Sequence, residues 1–141
     1  MARGRSLTSG FPVRAAMITD FRTLGHGASI KDAADLLLAT SQHDFPVVHG
    51  EQVIGLLHRS GLMRAMMSEG PNAYVSMAMD RNFQRVAPDA DLSELMPKLS
   101  RPGAVALVMD DEDHLLGLVT SENLSEFIML RQIGQSRPTP A

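Results

Sequence analysis

Apolar positions along the chain follow two different periods, and the change between them indicates where helices and strands lie. In residues 29–39 they recur every three or four positions, which is typical of one face of a helix. Ser29, with Asp32 three residues later, is the expected N-cap of this helix. Two short apolar runs follow, at 45–48 and 53–57, and they predict buried strands joined by a turn.

A second helical segment, 60–70, completes this group of elements. Ser60 is its expected N-cap, and Gly70 is its expected end because glycine favours the backbone conformation that terminates helices. Residues 29–70 are therefore predicted to form a helix, two strands and another helix.

The same pattern occurs a second time. The octets GLLHRSGL (55–62) and GLVTSENL (117–124) start 62 residues apart, and a helical segment and an apolar run precede each of them. The helical segment that precedes the second octet, 91–99, contains Pro97, which lacks an amide hydrogen and clashes with the preceding turn. A kink or a late start is expected there. The last helix is predicted over 121–134.

This duplication predicts the fold class and the domain organisation. The chain is expected to be an α+β protein of two repeats, 11–70 and 71–133, between flexible tails at 1–10 and 134–141. One repeat of about 60 residues buries too little surface to be stable alone. The two repeats are therefore expected to pack sheet to sheet as a pseudo-twofold pair.

Composition narrows the classes of function. The formal net charge of the 141 residues is −3 and there is no basic run, so nucleic-acid binding is not expected. The absence of cysteine excludes disulfides and thiolate metal sites, and the five histidines lack metal-ligand spacing. No hydrolase nucleophile motif or phosphate-binding loop is present, so the chain is predicted not to be an enzyme. No apolar run is long enough to span a membrane.

The second octet carries the main candidate site. Thr120 and Ser121 stand where a predicted strand turns into a helix, and a helix N-terminus offers free N–H groups to a phosphate. Asn123, one turn further on, adds an amide, so these side chains could hold a ribose and its phosphate. Alternatively, Thr120 and Asn123 only cap the helix. Both interpretations remain open at this point.

The arrangement of these motifs resembles a tandem pair of CBS domains, the Bateman module. The strand FPVV, the element order and the motif Gly-apolar-apolar-Thr-x-x-Asn carry the resemblance, which extends over residues 11–133. It implies a regulatory module that binds AMP, ADP, ATP or S-adenosylmethionine at Thr120 and Asn123, with no covalently bound cofactor. The adenine would lie against the strand residues Ala104, Val105 and Ala106, which the bare pattern assigns simply to a core strand.

The family usually has aspartate at the position of Asn123. Asparagine can still donate and accept hydrogen bonds, but it lacks the charge that strengthens a bond to a ribose hydroxyl. The resemblance therefore implies weaker binding at this site.

The first octet departs further from the motif, because His58 and Gly61 stand at the positions of the hydroxyl and the amide. The resemblance implies a degenerate first site that consists of His58, Arg59, Phe45 and Pro46. The two cationic side chains could still contact a phosphate. The alternative is that they form a solvated entry to the helix.

A narrower resemblance concerns the parent protein. Segments 16–24, 37–48 and 122–131 are similar to the CBS pair of bacterial site-2-protease-type zinc metallopeptidases. This implies a membrane-embedded protease in the same parent chain, with the module on the cytoplasmic side. The alternative is a free-standing relative, which is expected to be cytoplasmic. A homodimer through the outer helices, 60–70 and 123–130, is also expected. The alternative function is a ligand-free scaffold for dimerisation or docking.

Overall fold

The computed structural model of the protein describes residues 10–136, and this part of the chain divides into two compact units. Unit 1 contains residues 10–19, 84–110 and 116–136, and unit 2 contains residues 20–83 and 111–115. Between residues 10 and 136, no helix is long and apolar enough to cross a bilayer.

Unit 2 combines a three-stranded sheet with two helices. Its elements, in chain order, are β1 (Leu24–Gly25), α1 (Ile30–Ala39), β2 (Asp44–His49), β3 (Gln52–His58) and α2 (Arg59–Ser68). A short 3-10 helix, Val75–Met77, follows them. Strand β2 lies in the middle of the sheet, parallel to β1 and antiparallel to β3. The predicted order of helix, two strands and helix is confirmed.

The start of α1 follows the predicted capping pattern. The Ser29 hydroxyl accepts a hydrogen bond from the Asp32 N–H, and the Asp32 carboxylate accepts one from the Ser29 N–H. Because each residue satisfies a donor that the helix leaves without an intrahelical partner, this local pair is enough to set the first turn. The predicted capping box is confirmed.

The start of α2 differs from the prediction, whereas its end agrees. Strand β3 continues to His58, which is the N-cap, so the helix begins at Arg59 and the prediction of Ser60 as N-cap is wrong. Gly70 has a φ of +87° and its N–H donates to the Ala65 carbonyl, as expected for the residue that ends a helix.

The core of unit 2 lies between the sheet and the two helices. Strands β2 and β3 are almost continuously apolar, and their buried side chains meet the apolar face of α1. The largest fully buried side chains of this cluster are Ile30, Phe45, Val47, Leu57, Leu62 and Val75.

Unit 1 has the same plan with a shorter first helix. Its regular elements are β4 (Gln84–Val86), β5 (Val105–Met109), β6 (Leu115–Thr120, of which the first residue is counted in unit 2) and α3 (Ser121–Ser136), with 3-10 helices at Val13–Ala15 and Leu92–Leu95. Strand β5 lies between β4 and β6 and is parallel to β4. The chain is thus an α+β protein of two repeats, as predicted.

The helix expected at 91–99 is reduced to the single 3-10 turn at Leu92–Leu95. Asp91 caps this turn by accepting a hydrogen bond from the Ser93 N–H. Pro97 has no N–H to continue a helical ladder, and this explains why the element does not extend. Pro97 disrupts the helix as expected, but the expected kink or late start is wrong, because the element begins at Leu92 and ends before Pro97.

Each compact unit includes a segment that the sequence analysis assigned to the other repeat. Val13 is fully buried in unit 1, and its N–H donates to the Ala90 carbonyl. Val75 is fully buried in unit 2, and its N–H donates to the Ala28 carbonyl. The compact units therefore do not coincide with the repeats proposed at 11–70 and 71–133, which describe the duplication in the sequence.

The predicted flexible tails lie mostly outside the described residues, namely at 1–9 and 137–141. Gly10, the last residue of the first predicted tail, donates its N–H to the Asp91 carboxylate. Helix α3 continues through Ser136, so the second predicted tail begins in a helix.

Glycines in the two octets allow a segment of the chain to lie directly on the last strand of each unit. The Ile18 and Leu118 backbones exchange two hydrogen bonds in unit 1, of 2.7 and 3.0 Å. A Cβ atom at Gly117 would stand 2.8 Å from the Ile18 carbonyl oxygen. In unit 2, a Cβ at Gly55 would stand 2.4 Å from the Met79 sulfur.

We expect Gly117→Ala to lower the free energy of unfolding by about 1–3 kcal/mol, the usual cost of overpacking, because the new methyl meets backbone. Gly55→Ala should cost less, since the end of a methionine side chain can move. Gly27→Ala is the matched control, because nothing lies within 4 Å of its Cβ position. Urea unfolding of the three variants measures this order, and equal costs at Gly27 and Gly117 would contradict it.

Candidate functional site

The N-terminus of α3 is closed by a reciprocal pair of hydrogen bonds. Strand β6 ends at Thr120 and α3 begins at the next residue. The Thr120 hydroxyl accepts a bond of 3.0 Å from the Asn123 N–H, and the Asn123 side-chain oxygen accepts one of 2.5 Å from the Thr120 N–H. This is a capping box, so the interpretation of these residues as caps is confirmed.

The Asn123 amide makes a second, long-range contact. Its Nδ2 atom donates to the Ala16 carbonyl over 2.5 Å, and its oxygen also accepts a bond of 3.1 Å from the Thr120 hydroxyl. The amide group offers two donors and two acceptor positions. One N–H of Asn123 and one hydroxyl lone pair of Thr120 are therefore left for a further partner. The contact with Ala16 links the first turn of α3 to the segment that lies on β6.

Ser121 ties the start of α3 to the start of β5. Its N–H donates to the Ala104 carbonyl over 2.9 Å, and its hydroxyl accepts a bond of 3.1 Å from the Gly103 N–H. Gly103 has a φ of +81°, which suits glycine in this tight approach. Thr120, Ser121, Asn123 and Ala104 are thus brought together at one end of the unit 1 sheet.

The other two strand residues proposed for adenine binding lie deeper. The Val105 side chain is 5% exposed, and the Ala106 side chain is fully buried in the core of unit 1. Ala104 is only partly buried. For Val105 and Ala106, the interpretation as core strand residues is confirmed. A ligand outside the core could reach this segment through Ala104.

The equivalent position in unit 2 has a different chemistry, because the His58 imidazole lies between two carboxylates. Its Nδ1 atom is 2.8 Å from Asp44 Oδ1, and its Nε2 atom is 3.8 Å from Asp80 Oδ2. Asp44 is the β2 residue directly opposite His58 on β3. Asp80 belongs to the segment that lies on β3, where its backbone is paired with Leu56.

These contacts raise the pKa of His58 above its ordinary value of 6.5. The main cause is the hydrogen bond to Asp44, and partial burial of the ring acts in the opposite direction. The charges of Asp44 and Asp80 raise the pKa further. The His58 cation is therefore already matched by carboxylates of its own unit.

The proposed first site is thus not available as a cluster. Phe45 and Pro46 are buried, and Phe45 belongs to the core of unit 2. Arg59 is exposed, as expected for a solvated helix entry, whereas that interpretation is wrong for the partly buried His58. Gly61 leaves little room for a side chain, since a Cβ there would be 3.2 Å from the Ala78 carbonyl oxygen.

Three partners of the site escaped the sequence analysis: Ala16, Asp44 and Asp80. Alignment of the repeats at 62 residues places Ala16 over Ala78, and each carbonyl faces the third residue of a helix. That alignment could have identified the segment. The contact between Asp44 and His58 depends on the register between β2 and β3, which the sequence pattern did not specify.

Comparison with known proteins shows the family. The CBS domain model matches residues 13–68 and residues 75–130. The chain belongs to the CBS domain family. Since the model matches twice, this CBS-domain protein carries a tandem pair. Such pairs are generally regulatory and non-catalytic. No curated protein matches the sequence of this CBS pair.

Three solved structures illustrate the shared fold. A Vibrio cholerae protein described as an acetoin utilization protein (AcuB) has a TM-score of 0.77 and 23% identity, covering 92% of this CBS pair and 98% of its own chain. The CBS pair of protein MJ0100, in complex with 5′-methylthioadenosine and S-adenosyl-L-methionine, has a TM-score of 0.71 and 21% identity, with coverage of 85% and 97%. CBSX2 in complex with AMP has a TM-score of 0.73 and 18% identity, with coverage of 87% and 99%. At these identities, the TM-scores show likeness of fold alone.

We expect Asn123→Ala to lower the free energy of unfolding by about 1–3 kcal/mol, because the Thr120 N–H and the Ala16 carbonyl lose their side-chain partner. Asn123→Asp should fall between this variant and the original protein, since it keeps the acceptor and loses the donor. Ser125→Ala, at an exposed position on the same helix, is the control. A cost at Ser125 that matches the cost at Asn123 would argue against the role of the amide.

Proposed function

We propose that this CBS pair is a regulatory module that senses an adenosine-containing ligand such as AMP, ADP, ATP or S-adenosylmethionine at Thr120 and Asn123. The observation that carries the proposal is the cluster of one hydroxyl, one amide and a helix N-terminus at the end of the unit 1 sheet. The adenosine compounds bound by MJ0100 and by CBSX2 support this ligand class.

The proposed contacts follow from the groups that the cap leaves free. The second N–H of Asn123 would donate to a ribose hydroxyl, and a lone pair of Thr120 would accept from one. A phosphate would lie near the first turn of α3, where the helix dipole is favourable for an anion. The accessible part of the strand entry, at Ala104, would lie against the base.

Such a ligand acts as a regulator only if it binds one conformational state of the module better than another. The bond between Asn123 and the Ala16 carbonyl is the contact through which this could occur. A ribose that draws the Asn123 amide away would release a bond to the segment that lies on β6. Ligand binding and the position of that segment would then be coupled.

The ligand should raise the melting temperature of the CBS pair in a concentration-dependent way, because selective binding to the folded state adds about 2.7 kcal/mol at one hundred times Kd. Thr120→Val should weaken binding about two- to tenfold through loss of one hydrogen bond. Thr120→Ser keeps a hydroxyl and should bind like the original protein. The measurements are thermal melting and calorimetry with AMP, ADP, ATP and S-adenosylmethionine.

Equal affinity of the valine and serine variants would remove Thr120 from the proposed site. Unchanged melting across the whole ligand panel would favour the second candidate function, a ligand-free scaffold for dimerisation or docking. The observation in favour of the scaffold is that most hydrogen-bonding capacity of Thr120 and Asn123 is already used within unit 1.

We also propose that the module works as a homodimer through its outer helices. Met63 and Met67 are 50% and 90% exposed on α2, and α3 exposes Met129, Leu130 and Ile133. Methionine suits adaptable contact surfaces, and large exposed apolar side chains at helical spacing need a cover.

Met67→Glu should shift the dimer towards monomer, because it brings a charge into an apolar contact. Lys98→Glu, at an exposed position outside both helices, is the control for added acidity. Analytical ultracentrifugation over a range of protein concentrations measures the effect. A monomeric original protein would contradict the proposal, and so would a dimer that Met67→Glu leaves as stable as before.

The parent protein is proposed to be a membrane site-2-type zinc metalloprotease with this module on the cytoplasmic side. Its support is the similarity of segments 16–24, 37–48 and 122–131 to the CBS pair of such enzymes. The complete reading frame tests this directly, because a His-Glu-x-x-His helix and membrane spans must then accompany the module.

A further inference from the structure

The His58 ring in unit 2 has a carboxylate beside each of its nitrogen atoms. The separation of 2.8 Å between Nδ1 and Asp44 Oδ1 is a hydrogen-bond length. The separation of 3.8 Å between Nε2 and Asp80 Oδ2 is that of an ion pair. The His58 side chain is 33% exposed and the Asp44 side chain is 14% exposed, so solvent screens the closer pair only in part.

Only the imidazolium cation carries an N–H on both nitrogens. When the ring loses one proton, the short bond to Asp44 favours retention of the other at Nδ1. The Nε2 lone pair then faces the Asp80 carboxylate, so attraction between the two groups is replaced by weak repulsion. Deprotonation of His58 therefore acts mainly on Asp80.

Asp80 lies at a structurally sensitive point of unit 2. Its N–H donates to the Leu56 carbonyl over 2.8 Å, and its carbonyl accepts a bond of 2.9 Å from the Leu56 N–H. Its carboxylate also accepts a bond from the Asn82 N–H. These contacts hold segment 78–83 on β3, immediately before the chain enters unit 1 at Gln84.

In the equivalent contact of unit 1, the side chains at the positions of Asp80 and His58 do not titrate near neutral pH. The backbones of Ile18 and Leu118 exchange two hydrogen bonds, as those of Asp80 and Leu56 do. Ile18 stands at the position of Asp80, and Thr120 stands at the position of His58. The two repeats thus share the backbone contact and differ in the side chains that secure it.

We propose that His58 is a proton-binding site of the first repeat, and that a proton bound there holds segment 78–83 on β3 through Asp80. The first repeat would then respond to pH at the position where the second repeat has its candidate site for a nucleotide. The proposal rests on the contacts of unit 2 alone and does not require that a nucleotide binds unit 1.

The direction of the response follows from the raised pKa of His58. A cation that the folded state favours stabilises the contact fully below the ordinary pKa of 6.5, and this stabilisation is lost as the pH rises through the folded pKa. Asp44 of β2 and Asp80 of segment 78–83 are the charged groups that act on the ring. The neighbouring Arg59 and Arg81 are exposed. Segment 78–83 is therefore held at acidic pH and loosened at alkaline pH.

Amide hydrogen exchange tests the proposal on the whole chain, from about pH 5 to about pH 9. Exchange rates are divided by the intrinsic rates at each pH. The protection of the Leu56 and Asp80 amides should fall about two- to fivefold as His58 deprotonates, in proportion to a partly exposed ion pair. The Ile18 and Leu118 amides are the internal control and should show no such step.

Two variants separate this role from a merely structural one. Asp80→Asn keeps an acceptor for the Asn82 N–H and removes the charge, so it should lower the His58 pKa and abolish the step at Leu56. Asp35→Asn, at an exposed acid of α1, should leave both unchanged. The His58 pKa is read from its ring resonances by NMR. A step of equal size at Leu118, or an unchanged His58 pKa in Asp80→Asn, overturns the proposal.

Discussion

The close approach of a backbone segment to the last strand of each unit is the constraint on which the rest of the structure depends. Glycine occupies the strand position beside each of the pairs Ile18–Leu118 and Asp80–Leu56, where a Cβ would meet the Ile18 carbonyl in unit 1 and the Met79 side chain in unit 2. Each segment also brings a buried valine into the core that it covers. Without these contacts, the Asn123 amide would lose its bond to the Ala16 carbonyl, and the His58 ring would lose its contact with Asp80.

This shared backbone contact carries two different sets of side chains. In unit 1 the neutral Asn123 amide donates a hydrogen bond to the Ala16 carbonyl, and the strength of this bond does not depend on pH. In unit 2 the equivalent helix position is Gly61, which lies against the Ala78 carbonyl, and His58 contacts Asp80 instead. Duplication therefore kept the geometry and allowed the chemistry of the two repeats to diverge.

The residues of the candidate nucleotide site combine a structural role with the proposed role in ligand binding. Thr120 and Asn123 stabilise the start of α3 by satisfying donors that a helix leaves open, and a ligand would add to those bonds or replace them. Replacement costs the bond to Ala16, and this cost is a physical route by which binding could alter the segment on β6. In a CBS pair, stability and regulation can thus draw on the same few hydrogen bonds.

The sequence by itself determined the duplication, because the same local pattern occurs twice at an offset of 62 residues. It also determined the order of elements, the capping box at Ser29 and the helix-limiting effect of Pro97, because these depend on residues within a few positions of one another. Only the tertiary structure decided that residues 11–19 and 71–83 complete the two units, and that Asp44 and Asp80 flank His58. Short 3-10 segments have no periodicity to reveal their partners. Contacts between residues distant in sequence depend on strand register and packing, which local pattern does not encode.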